Sequence, residues 1–109
     1  MCIDYRELNK QVVRDQYPLP NINDIQRRFY GKKLFSSLDL RHAYHHILIA
    51  PEDRRKTAFR TADGLYQWKR MTFGFSNAPA TFQRAMDMIF RDVPEVVVYL
   101  DDILIAACN

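Results

Sequence analysis

Long apolar runs are absent from this sequence, and cysteine is scarce. No stretch of 18 apolar residues occurs in the 109-residue chain, so no membrane-spanning helix is expected. The amino terminus has an early acid, Asp4, and lacks the apolar segment of a secretory signal. Cys2 and Cys108 stand near opposite ends without metal-ligand spacing, so we expect two free thiols in a reducing compartment. No repeat, linker or low-complexity segment is visible, and the length allows one domain at most.

Positive charge is concentrated in the middle of the chain. The net charge is +3, but residues 27–70 hold eleven Lys or Arg against four Asp or Glu. A basic segment beside a local cluster of acids fits a partner with a phosphate backbone. A solvated charged face is the alternative explanation.

Two adjacent acids, Asp101 and Asp102, separate two apolar, β-prone runs within residues 96–105. Such runs predict strands, and the reversal between them predicts a hairpin. The turn residues are either Leu100-Asp101 or Asp101-Asp102, without the Gly or Asn that tight hairpin turns favour. A fold tolerates such a conflict most readily at a working site. A solvated loop is the alternative.

A third acid, Asp39, ends an apolar run that alternation predicts to be a strand over residues 34–40. A central strand carrying Asp39 beside the hairpin would bring three carboxylates together. These groups repel each other unless cations neutralise them, and two-metal sites use such clusters for phosphoryl transfer. A buried acid paired with a neighbouring Arg is the alternative for Asp39.

The remaining elements follow from periodicity and turn signals. We expect a short helix near residues 6–10, a hairpin of residues 56–61 and 65–70, and a turn over residues 51–53. Two longer helices are expected. The first is expected to begin at a cap, Asn21 or Asn23, and to end at Gly31. The second is expected to begin at a cap, Ser76 or Asn77, and its apolar stripe consists of Phe82, Met86, Ile89 and Phe90. The predicted class is α+β, an antiparallel sheet backed by helices.

An ordered set of motifs covers nearly the whole chain and resembles one family. The chain resembles the central part of the reverse transcriptase domain of a gypsy-type long-terminal-repeat retroelement Pol polyprotein. The matching stretches are IDYRELNK (3–10), YPLP (17–20), FSSLDL (35–40), AYH (43–45), KTAFRT (56–61), FGFSNAPATFQ (73–83) and YLDD (99–102).

The resemblance implies an RNA-directed DNA polymerase of the palm type. Such an enzyme adds deoxynucleotides to a primer 3′ end on an RNA or DNA template by two-metal nucleotidyl transfer. By resemblance Asp39, Asp101 and Asp102 are the catalytic residues and hold two Mg²⁺ ions, which Mn²⁺ can replace. The backbone carbonyl of Leu40 is a further candidate ligand, because hard cations accept backbone oxygens.

The resemblance also implies a nucleotide pocket. Tyr44 would pack under the sugar and clash with a ribose 2′ hydroxyl, and Phe73 and Gly74 would line the pocket. Thr72 stands where the family usually has Pro. An ordinary core tyrosine is the alternative for Tyr44.

Weaker expectations concern nucleic-acid contacts and the histidines. Arg6, Asn9 and Lys56 are candidate nucleic-acid-binding residues, with a surface ion pair as the alternative for Arg6. His42, His45 and His46 cluster near Asp39. A zinc site is conceivable, but no second pair of soft ligands follows, and a surface or template-side role is favoured.

The resemblance implies one partial domain within a longer protein. It assigns about 1–33 and 51–70 to the fingers and about 34–50 and 71–109 to the palm. The implied partners are a template-primer, deoxynucleoside triphosphates and the rest of the Pol polyprotein, including a thumb and RNase H, without a membrane partner. We expect a cytoplasmic or virus-like-particle location and little activity from the isolated chain. The alternatives are a non-catalytic relic that at most binds nucleic acid, and a different palm enzyme, such as an RNA-dependent RNA polymerase or nucleotide cyclase.

Overall fold

The computed structural model describes residues 3–108. The expectation for the Cys2 thiol therefore lies outside the described residues, whereas Cys108 is an exposed free thiol, as expected. In chain order the elements are helices α1 (Arg6–Asn9) and α2 (Ile22–Phe29), strand β1 (Leu34–Asp39), 3₁₀ helices at Ala43–His46 and Pro51–Thr57, strands β2 (Phe59–Thr61) and β3 (Gly64–Tyr66), helix α3 (Ala78–Ile89), and strands β4 (Val96–Tyr99) and β5 (Asp102–Ala107).

These elements divide between two compact units. The first unit contains the residues up to Asp15 together with His42–Pro79, and the second contains Gln16–Arg41 together with the residues from Ala80 on. Helices alternate with antiparallel strands, which confirms the predicted α+β class. None of the helices within residues 3–108 is long and apolar enough to cross a membrane.

The first unit contains the hairpin of β2 and β3, which is shorter than predicted. Thr61 pairs with Gly64, so Ala62 and Asp63 form the turn. The predicted turn over residues 51–53 was too short, because the 3₁₀ helix continues to Thr57. The buried Thr57 hydroxyl donates to the Arg54 carbonyl at 2.7 Å and accepts from the backbone N–H of Trp68 at 2.8 Å. These bonds stabilise the end of the 3₁₀ helix at Thr57, so the strand begins only at Phe59.

The sheet of the second unit has the strand order β1-β5-β4 and is antiparallel throughout. The expectation that β1 would be central was wrong, because β5 pairs with both other strands and occupies the middle. All six residues of β1 are exposed. The buried side chains of this unit come from α3 and the hairpin: Phe82, Gln83, Met86, Val96, Val97, Val98, Ile103 and Ala106.

The two longer helices form where predicted. The Asn21 side chain caps α2 by accepting from the Asn23 N–H at 2.9 Å, and Gly31 follows with φ +78°. In α3, Phe82 and Met86 are buried as predicted. Ile89, predicted for the same stripe, is 64% exposed. It is the last residue of the helix, where no further turn continues the buried face.

Candidate active site

The turn between β4 and β5 holds an unusual backbone conformation. Tyr99 pairs with Asp102, which leaves Leu100 and Asp101 as the two turn residues. Leu100 has φ +54°, whereas Asp101 has no positive φ. A positive φ at the first central residue alone matches the φ signs of a type II′ turn, where that residue is ordinarily Gly. A leucine there costs about 1–2 kcal/mol, so the fold keeps local strain beside both acids.

Two of the three predicted acids lie directly opposite each other. In the β1–β5 ladder Asp39 pairs with Asp102, at the end where both strands meet the turn. Directly paired residues place their Cβ atoms about 4.5–5.5 Å apart on the same face of a sheet. Like charges in such a pair destabilise it. The register therefore concentrates negative charge at this edge of the second unit.

Asp101 supplies an oxygen without a protein partner. Its Oδ1 atom is buried and has no hydrogen bond. An unpartnered buried carboxylate oxygen is costly in a fold, and a hard divalent cation is the kind of group that such an oxygen binds. Leu40, the candidate carbonyl ligand, directly follows β1. The donor chemistry therefore fits the implied cations.

The three acids do not form a closed ligand group. Within residues 3–108, no set of three or more His, Cys, Asp or Glu side chains is gathered as a metal site. The structure thus brings Asp39 and Asp102 together through register and places Asp101 in the adjacent turn. The assignment of all three as metal ligands stays a prediction.

A buried glutamine ties α3 to the acid-bearing hairpin. The fully buried Gln83 donates from Nε2 to the Val98 carbonyl at 2.8 Å and to Asp87 Oδ1 at 3.1 Å. Gln83 was predicted only as part of the 73–83 motif, without this role. The available signal was a glutamine directly beside Phe82, in the apolar stripe of a predicted helix.

In the first unit, Tyr44 and Phe73 contact each other as an aromatic pair. Their ring centroids lie 4.8 Å apart at 62°, an edge-on arrangement. Phe73 remains 51% exposed, so much of its ring faces solvent. Gly74 follows with φ +100°, and a Cβ atom there would lie 3.4 Å from the Ile3 carbonyl oxygen. Glycine is therefore favoured at position 74 by the backbone conformation, whereas the distance to Ile3 is an ordinary van der Waals contact.

Side chains hold the loop of residues 71–76 on both flanks of Phe73. Asn9 Nδ2 donates to the Gly74 carbonyl at 2.7 Å, and Asn9 Oδ1 accepts from the Ser76 N–H at 3.0 Å. His45 Nδ1 lies 2.9 Å from the Met71 carbonyl oxygen. These bonds were not predicted from the sequence, since each joins residues at least 26 positions apart.

The histidines differ from one another in environment. His42 and His46 are exposed, whereas His45 is half-buried and stacks on Trp68 with centroids 5.5 Å apart. His45 is therefore not a plain surface residue, and a template-side role for the histidines stays a prediction. The described residues contain no metal cluster in which a histidine takes part.

Arg6 and Lys56 take part in exposed ion pairs. Arg6 bonds Asp4 at 2.7 Å, and its hydrogen bonds lower the pKa of Asp4 from 3.8 to about 2. Lys56 bonds Asp53 at 2.7 Å. These contacts agree with the ion-pair alternative for Arg6. Nucleic-acid contacts by Arg6, Asn9 and Lys56 stay predictions.

Tyr5 supports the first unit from below Gly74. Its hydroxyl donates to the Thr57 carbonyl at 2.8 Å, and its ring lies 4.7 Å from that of Phe75. Burial raises the pKa of the Tyr5 phenol, which keeps it neutral as a donor.

A family model described as reverse transcriptase (RNA-dependent DNA polymerase) matches residues 1–109. Among curated proteins, the retrovirus-related Pol polyprotein from transposon 297 of Drosophila melanogaster is 45% identical over 107 residues, with 96% of this chain and 10% of the relative covered. The Pol polyprotein from transposon gypsy of the same organism is 40% identical over 111 residues, with 100% and 11% covered. The chain thus spans about a tenth of the length of these relatives.

Solved structures agree with these relatives. The prototype foamy virus protease–reverse transcriptase (a CSH mutant) superimposes with a TM-score of 0.84 at 31% identity, covering 97% of this chain and 14% of the other. The foamy viral protease–reverse transcriptase in complex with an RNA/DNA hybrid gives a TM-score of 0.85 at 27% identity, with the same coverage. Both neighbours confirm the polymerase-type α+β fold. With its family model matched from end to end and its relatives among gypsy-type Pol polyproteins, the chain belongs to the reverse transcriptase (RNA-dependent DNA polymerase) family.

Proposed function

We propose that this chain is the catalytic core of an RNA-directed DNA polymerase, acting within a Pol polyprotein. The observation that carries the proposal is the pairing of Asp39 with Asp102 beside the unpartnered Oδ1 atom of Asp101. Family membership supports it, since enzymes of this family generally use divalent metal ions. The different palm enzymes considered above have no support from these relatives.

The three carboxylates would hold two Mg²⁺ ions, with the Leu40 carbonyl as a further ligand and Mn²⁺ as a substitute. When bound, the ions supply activation of the primer 3′ hydroxyl and neutralisation of the triphosphate charge. Asp39 and Asp102 provide oxygens from two paired strands, so the ladder fixes their spacing. Asp101 is held by a strained turn, which limits how far its carboxylate can move.

The aromatic pair of the first unit would select the sugar. Tyr44 meets Phe73 edge-on, and the exposed part of Phe73 is free to contact a base or deoxyribose. A ribose 2′ hydroxyl would clash with Tyr44, which favours deoxynucleoside triphosphates. Gly74 lets the backbone approach the nucleotide closely.

The proposed partners are an RNA or DNA template-primer and the rest of the polyprotein, with its thumb and RNase H. Arg6, Asn9 and Lys56 are proposed as nucleic-acid contacts. The division into fingers and palm, and a cytoplasmic or virus-like-particle location, likewise belong to the proposal. The foamy viral neighbour bound to an RNA/DNA hybrid supports the template-primer as a partner.

A segment exchange tests the proposed activity. Residues of this chain replace the matching segment of the foamy virus protease–reverse transcriptase, and primer extension is measured with Mg²⁺ and deoxynucleotides. We expect extension by the chimera and a loss of more than about 100-fold in its Asp101→Asn variant, because a metal ligand is removed.

The matched control is Asp92→Asn, which makes the same chemical change at an exposed turn position of the second unit. It should retain the rate of the unsubstituted chimera. An inactive chimera that still binds template-primer in a salt-dependent way would contradict the proposal and favour the non-catalytic relic. Equal losses in Asp101→Asn and Asp92→Asn would also contradict it.

A further inference from the structure

We propose that Asn9 and His45 are positioning residues that hold the loop of residues 71–76 on both sides of Phe73 and thereby set the fit of the incoming nucleotide. The inference rests on the proposed function, because Phe73 and Tyr44 are taken as nucleotide contacts. The proposed function treats Asn9 only as a nucleic-acid contact and gives His45 no role.

The contact of His45 determines which nitrogen of its neutral ring carries the proton. A carbonyl oxygen only accepts hydrogen bonds, so the 2.9 Å contact requires His45 Nδ1 to donate to Met71. The neutral imidazole is therefore held as the Nδ1–H form. The same ring stacks on Trp68 at 14° and meets Phe73 nearly perpendicularly, with centroids 6.5 Å apart. One side chain thus bonds the start of the loop and contacts the ring that the loop presents.

Asn9 holds the other end of the loop with both ends of its amide. It donates to the Gly74 carbonyl and accepts from the Ser76 N–H, at 2.7 and 3.0 Å. Because one planar amide satisfies two backbone groups two residues apart, it fixes their relative orientation as well as their separation.

Between these bonds the loop is well supported although Phe73 is half exposed. Met71 and Thr72 are buried, and a Cβ atom added to Gly74 would lie 3.5 Å from the Tyr5 ring. A proline at position 72 would lock the backbone angle φ, but Thr72 has no such ring. The side-chain bonds from Asn9 and His45 therefore restrain the loop instead. A contact residue held in advance loses less entropy on binding.

Loosening the loop should therefore weaken nucleotide binding more than chemistry. The expected signature is a higher KM for deoxynucleotides with a nearly unchanged kcat. Because His45 also contacts Phe73, which packs on Tyr44, discrimination against ribonucleotides should fall too.

The first test uses the unsubstituted 109-residue chain and needs no activity. Nitrogen-15 NMR of the histidine rings distinguishes the two neutral forms. We expect the neutral His45 ring in the Nδ1–H form, with the exposed His42 and His46 as internal controls. An Nε2–H form at His45 would overturn the inference.

The second test uses paired variants in the chimera. His45→Phe keeps a stacking ring but removes the donor, and His45→Asn keeps a donor at the Nδ1 position but removes the ring. Asn9→Asp keeps the shape and the acceptor but loses the donor to Gly74. We expect His45→Phe and Asn9→Asp to raise KM about fivefold to tenfold, with kcat changed less than about twofold. His45→Asn should raise KM less than His45→Phe.

Two controls keep the result interpretable. Asn23→Asp makes the same chemical change as Asn9→Asp on an exposed face of α2 and should leave KM unchanged. Far-ultraviolet circular dichroism checks that each 109-residue variant is folded. Unchanged KM in folded His45→Phe and Asn9→Asp would overturn the inference. An inactive unsubstituted chimera would instead contradict the proposed function, and the NMR result would still decide the His45 bond.

Discussion

Strands β4 and β1 both pair with β5, yet they differ completely in burial. Val96, Val97 and Val98 of β4 are buried, whereas every residue of β1 is exposed. Asp101 lies in the turn that follows the buried strand, and Asp39 lies at the end of the exposed one. The two halves of the proposed metal site are therefore supported differently. Core packing positions Asp101, and ladder hydrogen bonds position Asp39.

The largest expected effect is a difference in the free energy of unfolding between a substitution in the buried core and one on the exposed strand β1. Phe82→Ala in α3 removes a side chain that is 1% exposed and should lower the free energy of unfolding by about 3–5 kcal/mol. Phe35→Ala on β1 removes a ring that is 60% exposed and should cost less than about 1 kcal/mol. Urea unfolding of the 109-residue chain, followed by circular dichroism, measures both. Equal losses would break the comparison.

Gln83→Leu tests the polar support of the buried strand. The change leaves the Val98 carbonyl without its 2.8 Å bond in a buried position, so we expect a loss of about 1–3 kcal/mol in the free energy of unfolding. Gln26→Leu on the exposed face of α2 is the matched control and should be nearly neutral. A neutral Gln83→Leu would show that the bond from Gln83 does not stabilise β4 beyond its packing and its pairing with β5.

Leu100→Gly should stabilise the hairpin by about 1 kcal/mol, because glycine adopts a positive φ without the steric cost of a side chain. The same substitution on the exposed strand, Leu38→Gly, should destabilise by about 0.5–1 kcal/mol, because glycine weakens a strand. Thermal unfolding of both variants gives opposite signs if strain is confined to the turn. A destabilised Leu100→Gly would remove the argument for strain beside Asp101.

The smallest expected effect concerns the exposed ion pair of Asp4 and Arg6. The pKa of Asp4 is lowered from 3.8 to about 2. The contribution of this pair to stability is therefore fully present above pH 3.8, and it is lost as the pH falls through about 2. Arg6→Gln should raise the pKa of Asp4 part of the way toward 3.8, because the side-chain bonds are lost while the backbone N–H of residue 6 still donates to Asp4 Oδ1. Arg14→Gln should not change it. An NMR titration of Asp4 measures the shift, and a pKa that stays near 2 in Arg6→Gln would exclude the pair as its cause.

Local signals in the sequence predicted most of the fold. Asn21 caps α2 as expected, and the apolar runs around Asp101-Asp102 form the hairpin. Alternation in β1 gave the strand but not its exposure, because burial depends on what covers a face rather than on the strand itself. The 3₁₀ helix to Thr57 was missed because the bond from Trp68 to Thr57 joins residues eleven positions apart.

The site was predicted unevenly for the same reason. The acids were identifiable because carboxylates between apolar runs conflict with local preference. The sequence predicted that the three acids would lie close together. It did not predict that Asp39 pairs with Asp102, because the register between two distant strands is not encoded locally. The bonds of Asn9 and His45 to the loop of residues 71–76 depend on contacts 26 to 67 positions apart. No local pattern encodes such contacts.

The most direct test of the central claim is to locate a bound divalent cation. Mn²⁺ is titrated into the ¹⁵N-labelled 109-residue chain, and the paramagnetic broadening of each backbone amide is measured. We expect the amides of Asp39, Leu40, Asp101 and Asp102 to broaden first. Asp39→Asn should weaken this broadening, whereas Asp92→Asn should not. Broadening that begins elsewhere, or that is unchanged in Asp39→Asn, would contradict a metal site built from these carboxylates.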